Sequence, residues 1–217
     1  MSRNRDWLNL PNRITLARLV IAMLLFVMLS LEIADAGMGK QTALNIAFWV
    51  FIVCVLTDWL DGYLARRHGM ITTFGRIADP IVDKVVVCGT IVYLVRLSPE
   101  LIKPWFAVVI VAREFLISGL RSYFEGQGIP FGARWGGKLK MILQSVTIPA
   151  VLLYEANFAA TRSAWLAADH WARSCFYWLA WALAAATLVA TVLSAIQYVV
   201  VSVRTLGARR SEEAPSP

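Results

Sequence analysis

Residues 41–62 read QTALNIAFWVFIVCVLTDWLDG. The first seventeen, Gln41 to Thr57, carry no charge. That is about the shortest run that crosses the hydrocarbon core of a bilayer as a helix. The run ends on Asp58, and Asp61 follows one helical turn later. An apolar helix that stops on a pair of carboxylates puts acid at a membrane surface. The rest of the sequence shows how many such helices there are and what the acid can hold.

Composition answers the first point in outline. Of 217 residues, 59% are apolar, 16% are charged and nine are Trp, with a mean hydropathy of +0.62. Soluble domains are about half apolar and a quarter charged, so the chain is a membrane protein with several spans; disorder, collagen and a disulfide-stapled module are excluded. The net charge of +7 fits membrane topology and anionic headgroups, with no nucleic-acid partner. Cys54, Cys88 and Cys175 each lie in an apolar run without metal-ligand spacing, and read as small core residues.

Ser174 to Val203 is thirty residues without an ionisable side chain, a self-sufficient span. Ile14 to Leu31 qualifies if Arg18 is tolerated near its start. The uncharged run Val85 to Val95 has eleven residues and crosses only by including Asp83 and Asp79, and Pro104 to Ala112 has nine and must take in Arg113 and Glu114. Leu139 to Phe158 carries Lys140 at one end and Glu155 at the other. The expected fold is therefore all-α, with six transmembrane helices at about 14–33, 41–64, 78–97, 103–124, 139–158 and 174–203. They form one integral-membrane domain over 1–206, with 207–217 as a disordered cytoplasmic tail. Arg3, Arg5, the apolar stretch after them and Ala34-Asp35-Ala36 also look superficially like a cleavable signal peptide, which would leave five spans.

Six spans put both termini on one face. That face, with the loops around Arg66 to Gly75 and Glu125 to Lys140, gathers fifteen Lys and Arg against five on the other. The bias makes it cytoplasmic. Charges inside a span cost about 2.5 to 3.5 kcal/mol each and usually mark function.

Four aspartates flank the first cytoplasmic loop: Asp58, Asp61, Asp79 and Asp83. At about 100° per residue each pair lies on one helix face, and antiparallel neighbours would bring both pairs to one depth. Four carboxylates there repel one another unless cations neutralise them. With no nearby cysteine and only His68, the ligand set is oxygen-only, which favours Mg²⁺ or Mn²⁺. Two such ions about 4 Å apart can clamp a phosphoryl group. Gly62 and Gly75 suit close approach of backbone to a ligand, and Arg66 is the nearest cation for phosphate. The plainer reading makes the aspartates interfacial charges that cap helix ends; it suits one acid at a span end better than four in facing pairs.

The pattern Asp58-x-x-Asp61-Gly62-x-x-Ala65-Arg66, eight residues, then Gly75-x-x-x-Asp79-x-x-x-Asp83 resembles in full the signature of the CDP-alcohol phosphatidyltransferase family. The resemblance implies six transmembrane helices and transfer of a phosphatidyl group from a CDP-linked lipid, CDP-diacylglycerol, to an alcohol, with CMP leaving. It also implies that Asp58, Asp61 and Asp79 bind two Mg²⁺ or Mn²⁺ ions, that Asp83 joins the metal site and acts as general base, and that Gly62, Ala65, Arg66 and Gly75 line the CDP pocket.

The signature does not name the acceptor. Adjacent Arg113 and Glu114 point to different sides of their helix, so each needs another partner. Arg18, Arg113, Arg121, Lys138 and Lys140 together form a cationic ring facing the aspartates, which suits an acceptor carrying its own phosphate. Arg121, Lys138 and Lys140 also read as topology determinants touching anionic lipid. The stretches Asn9 to Arg18, Arg113 to Arg121 and Gly137 to Lys140 resemble the family branch whose acceptor is glycerol 3-phosphate, with departures at Gly119 and in the Gly-rich loop Gly126 to Gly137. Phosphatidylglycerol and inositol phosphate remain alternative acceptors. A transporter is the alternative of another class, disfavoured because no charged set lies deep on the far side. The uncharged sixth helix, with Trp178 and Trp181, would meet lipid or a second copy in a homodimer. His68 and His170 find no role.

Overall fold

The structure is a computed structural model that describes residues 10–33, 39–68, 73–129, 135–159 and 170–212, with side chains over 15–31, 39–59, 79–129, 135–159 and 171–207. Among the described residues six α-helices follow one another: α1 Leu10–Ile33, α2 Lys40–His68, α3 Thr73–Leu97, α4 Pro104–Gly126, α5 Trp135–Tyr154 and α6 His170–Glu212. No strand occurs among the described residues. Pro104 starts α4, where its missing N–H is no loss, and Gly128 ends it in the left-handed region at φ 70°.

Several helix ends differ from expectation. The loop expected from Arg66 to Gly75 is mostly helix, since α2 runs to His68 and α3 starts at Thr73. The expected fifth span closes as a π-helical turn, Glu155–Ala159, in which the Asn157 amide bonds Leu153 O at 3.2 Å and Asn45 Oδ1 on α2 at 3.0 Å. Helix α6 continues to Glu212, six residues into the expected tail. Gly207 costs only about 1 kcal/mol in a helix, and the Ala, Arg and Ser that follow sustain it.

The packing order is the larger surprise. Helix α1 lies against both α2 and α3, which scarcely touch each other, while α5 packs on α6 and α2, and α4 on α6 and α3. Gly89 on α3 leaves room for α1: a Cβ there would run into the tip of the Phe26 ring. Gly137 does the same where α5 meets α6, beside the Tyr198 hydroxyl. The seam between those two helices is polar, with Thr147 and Thr187 hydroxyls 2.7 Å apart and Thr147 donating to Leu183 O at 3.1 Å.

Phe51, Leu25 and Ile110 fill the core, while other large apolar side chains point outward: Trp49, Val108 and Trp178 are each more than half exposed. A hydroxylated helix seam with Trp and Val exposed around the bundle is the arrangement of helices that pack in lipid. Among the described residues three helices are long and apolar enough to cross a membrane unaided, over Lys40–Trp59, Trp135–Ala159 and Trp171–Gly207, and α1 holds a shorter apolar stretch, Thr15–Leu31. Helices α3 and α4 fall short because Asp79, Asp83 and Lys84, and Arg113, Glu114 and Arg121, interrupt them.

Candidate active site

Thr15 and Arg18 stand three residues apart on one face of α1, and each reaches a different neighbouring helix. Arg18 Nη1 donates to Asp58 Oδ1 on α2 at 2.6 Å, and the Thr15 hydroxyl donates to Asp79 Oδ1 on α3. The two acidic helix ends are thus joined through α1 rather than by direct pairing of α2 with α3. Arg18 is 2% exposed, and a cation so placed offsets part of the charge that the carboxylates bring together.

A cavity of about 210 Å³ opens beside this junction. Asp58, Asp83, Arg18, Glu114, Lys140 and Gln144 line it, with apolar wall from Val55, Val86 and Val87. Asp83 lies one turn beyond Asp79 on α3, so one helix presents one acid to α1 and the next to the cavity. Asp61, Gly62, Ala65 and Arg66 fall in the last turns of α2 and Gly75 in the first turn of α3. Their positions beyond the helical backbone lie outside the described residues.

Arg113 and Glu114 part company as helix geometry requires. Glu114 turns to α5 and accepts a hydrogen bond from Lys140 Nζ. Arg113 turns to α6, where Nη2 donates to Ser194 Oγ at 3.0 Å and the guanidinium lies 5.9 Å from the centre of the Tyr198 ring. The contact between the two neighbours is long, 3.4 Å. Lys140 is 2% exposed and Arg113 8%, so Glu114 sits among two buried cations and makes both tolerable there.

Of the five cations expected to ring the aspartates, Arg18 and Lys140 line the cavity; Arg113, Arg121 and Lys138 do not. Lys138 is exposed on α5, and Arg121 is half-buried on α4 with its Nε unpartnered among the described residues. Gly119 has open space where a Cβ would stand, so an alanine would fit there equally well. Sequence reasoning gave no role to Thr15 or Gln144: a neutral residue in a charge-led search raises no signal, and only tertiary contact shows what it meets. Glu155 is also buried, about 22 Å along the same helix from Lys140. Among the described residues an ionisable group is thus also buried toward the other end.

Among the described residues no three His, Cys, Asp or Glu side chains cluster closely enough to hold a metal ion. The donors present do suit a hard cation: Asp58 and Asp83 share one cavity, Asp79 is one turn from Asp83, and all are carboxylate oxygens.

A model of the CDP-alcohol phosphatidyltransferase family matches residues 8–193, and the chain belongs to that family. Among similar proteins is the CDP-diacylglycerol–glycerol-3-phosphate 3-phosphatidyltransferase of Bacillus subtilis, 36% identical over 157 residues that cover 69% of this chain and 79% of that one. The protein of the same name from Rickettsia typhi is 32% identical over 146 residues, covering 67% and 76%. That of Mycoplasma pneumoniae is 30% identical over 175 residues, covering 75% and 76%.

Proposed function

We propose that the protein transfers the phosphatidyl group of CDP-diacylglycerol to glycerol 3-phosphate, giving phosphatidylglycerophosphate and CMP in phospholipid biosynthesis. The observation that carries this reading is the shared cavity: Asp58 and Asp83 of the family signature face the same space as a deeply buried Lys140. A carboxylate base and a cation for a phosphate-bearing acceptor are the two things the reaction needs beside the CDP-lipid. The names of the similar proteins state the same donor and acceptor.

Asp58, Asp61, Asp79 and Asp83 would hold two divalent cations, Mg²⁺ or Mn²⁺. When bound, these neutralise the pyrophosphate and the departing CMP. Asp83 takes the proton of the acceptor hydroxyl as its oxygen bonds to the phosphatidyl phosphorus and the bond to the CMP phosphate breaks. Lys140 and Arg18 hold the acceptor phosphate, and Glu114 fixes Lys140 in the wall. Gly62, Ala65, Arg66 and Gly75 line the CDP pocket, a reading supported by their fixed places in the signature.

We place all six helices across a bacterial inner membrane, with α3 and α4 carried by their neighbours and both termini and the active site cytoplasmic. The distribution of Lys and Arg supports that orientation. A protein-level assay decides the acceptor. Purified enzyme with CDP-diacylglycerol and Mg²⁺ should release CMP with glycerol 3-phosphate, and far more slowly with phosphatidylglycerol or inositol phosphate. The reverse order would overturn the acceptor assignment while leaving the family reaction intact.

A further inference from the structure

Gln144 follows Lys140 by four residues on α5, so the two side chains share a helix face. Both line the cavity that Asp58 and Asp83 enter. Gln144 is 3% exposed, yet its Nε2 amide has no hydrogen-bond partner among the described residues. Its neighbour in the wall, Ser145, has already donated its hydroxyl hydrogen to Ile142 O at 2.9 Å. A buried donor in a cavity wall with nothing to bond is a group that a ligand acceptor satisfies.

Glycerol 3-phosphate carries three polar groups: the phosphate, the terminal hydroxyl that attacks, and the middle hydroxyl. The function proposed above, on which this inference rests, gives the phosphate to Lys140 and the attacking hydroxyl to Asp83. That leaves the middle hydroxyl of the substrate unmatched, and among the described residues the Gln144 amide in the cavity wall is a donor without a partner. We propose that Gln144 binds the middle hydroxyl of the acceptor and so selects a glycerol phosphate over a three-carbon alcohol phosphate that lacks it. A site whose polar group is left unpaired by an analogue discriminates more strongly than one that only adds apolar contact. Gln144 is thus a determinant of acceptor specificity, separate from the charge that binds the phosphate.

The test compares kcat/KM for glycerol 3-phosphate and for 3-hydroxypropyl phosphate, using the full chain in detergent with CDP-diacylglycerol and Mg²⁺. The wild-type chain should favour glycerol 3-phosphate by about fivefold, the worth of one net hydrogen bond of about 1 kcal/mol. In Gln144→Met the preference should collapse toward one through loss on glycerol 3-phosphate alone, with the KM for CDP-diacylglycerol unchanged. Gln144→Leu, of different shape and equally without a donor, should give the same collapse. Equal use of both acceptors by the wild-type chain overturns the proposal whether or not either variant folds. So does a variant that keeps the wild-type preference, or one that loses activity equally on both, which marks a packing role. Activity with neither compound, beside activity with phosphatidylglycerol, would instead sink the acceptor assignment beneath the proposal.

Discussion

Lys140 on α5 is hydrogen-bonded to Glu114 on α4, twenty-six residues earlier in the chain, with the lysine almost wholly buried. The pair closes one side of the cavity, and the Arg113 guanidinium stands 3.4 Å from the same carboxylate. Removing one member of a buried pair leaves an uncompensated charge, at a cost of about 3 to 5 kcal/mol. Glu114→Gln should therefore lower thermal stability sharply, and Glu114→Gln combined with Lys140→Met should recover part of it. Unfolding curves of the single and double variants check this; additive losses would show that the two side chains do not interact.

Lys140→Met on its own should raise the KM for glycerol 3-phosphate by tenfold or more while leaving that for CDP-diacylglycerol near its wild-type value. A charge-assisted hydrogen bond to phosphate is worth roughly 1.5 to 3 kcal/mol. Steady-state kinetics with each substrate varied in turn provide the comparison, and an equal rise in both KM values would argue for general damage to the fold.

Arg113→Ala should behave otherwise. Its guanidinium is committed to Ser194 and Tyr198 on α6, so the variant should lose stability with a smaller change in acceptor KM than Lys140→Met. A larger change in acceptor KM would return Arg113 to the list of acceptor ligands.

Thr15→Val keeps the shape of the side chain and deletes the hydroxyl that bonds Asp79. Partners of metal-ligating carboxylates typically contribute about tenfold or more to metal affinity. The Mn²⁺ concentration for half-maximal binding, followed by the resonance of the free ion, should rise by about that factor and return in Thr15→Ser. If Thr15→Ser is as weak as Thr15→Val, the hydroxyl is not the cause.

These predictions draw unequally on sequence and on structure. The helices were legible because hydropathy and charge fix where a chain can cross lipid: Ser174 to Val203 admits no other reading. The signature was legible because its eight residues hold fixed spacing along two helices. What the sequence hid was tertiary. Short loops suggested that α2 and α3 pair directly, whereas α1 wedges between them and supplies Thr15 and Arg18. Arg113 and Glu114 declared that they face apart, but not which helix each would meet. Gln144 carries no charge and so gave no sign of itself until its burial and its empty-handed amide were seen together.

The proposed mechanism gives the proton transfer to Asp83, and general-base catalysis typically contributes 10²- to 10⁴-fold. Asp83→Asn should insert and fold while turnover falls by at least that range. Wild-type turnover in the folded variant would remove Asp83 from the chemistry.

The most direct test of the central claim follows labelled glycerol 3-phosphate into lipid by the purified enzyme, with and without complete chelation of divalent cations. Labelled phosphatidylglycerophosphate should form only when CDP-diacylglycerol and Mg²⁺ or Mn²⁺ are both present, in step with CMP release. Undiminished labelling after chelation, or none under any condition, would contradict the account.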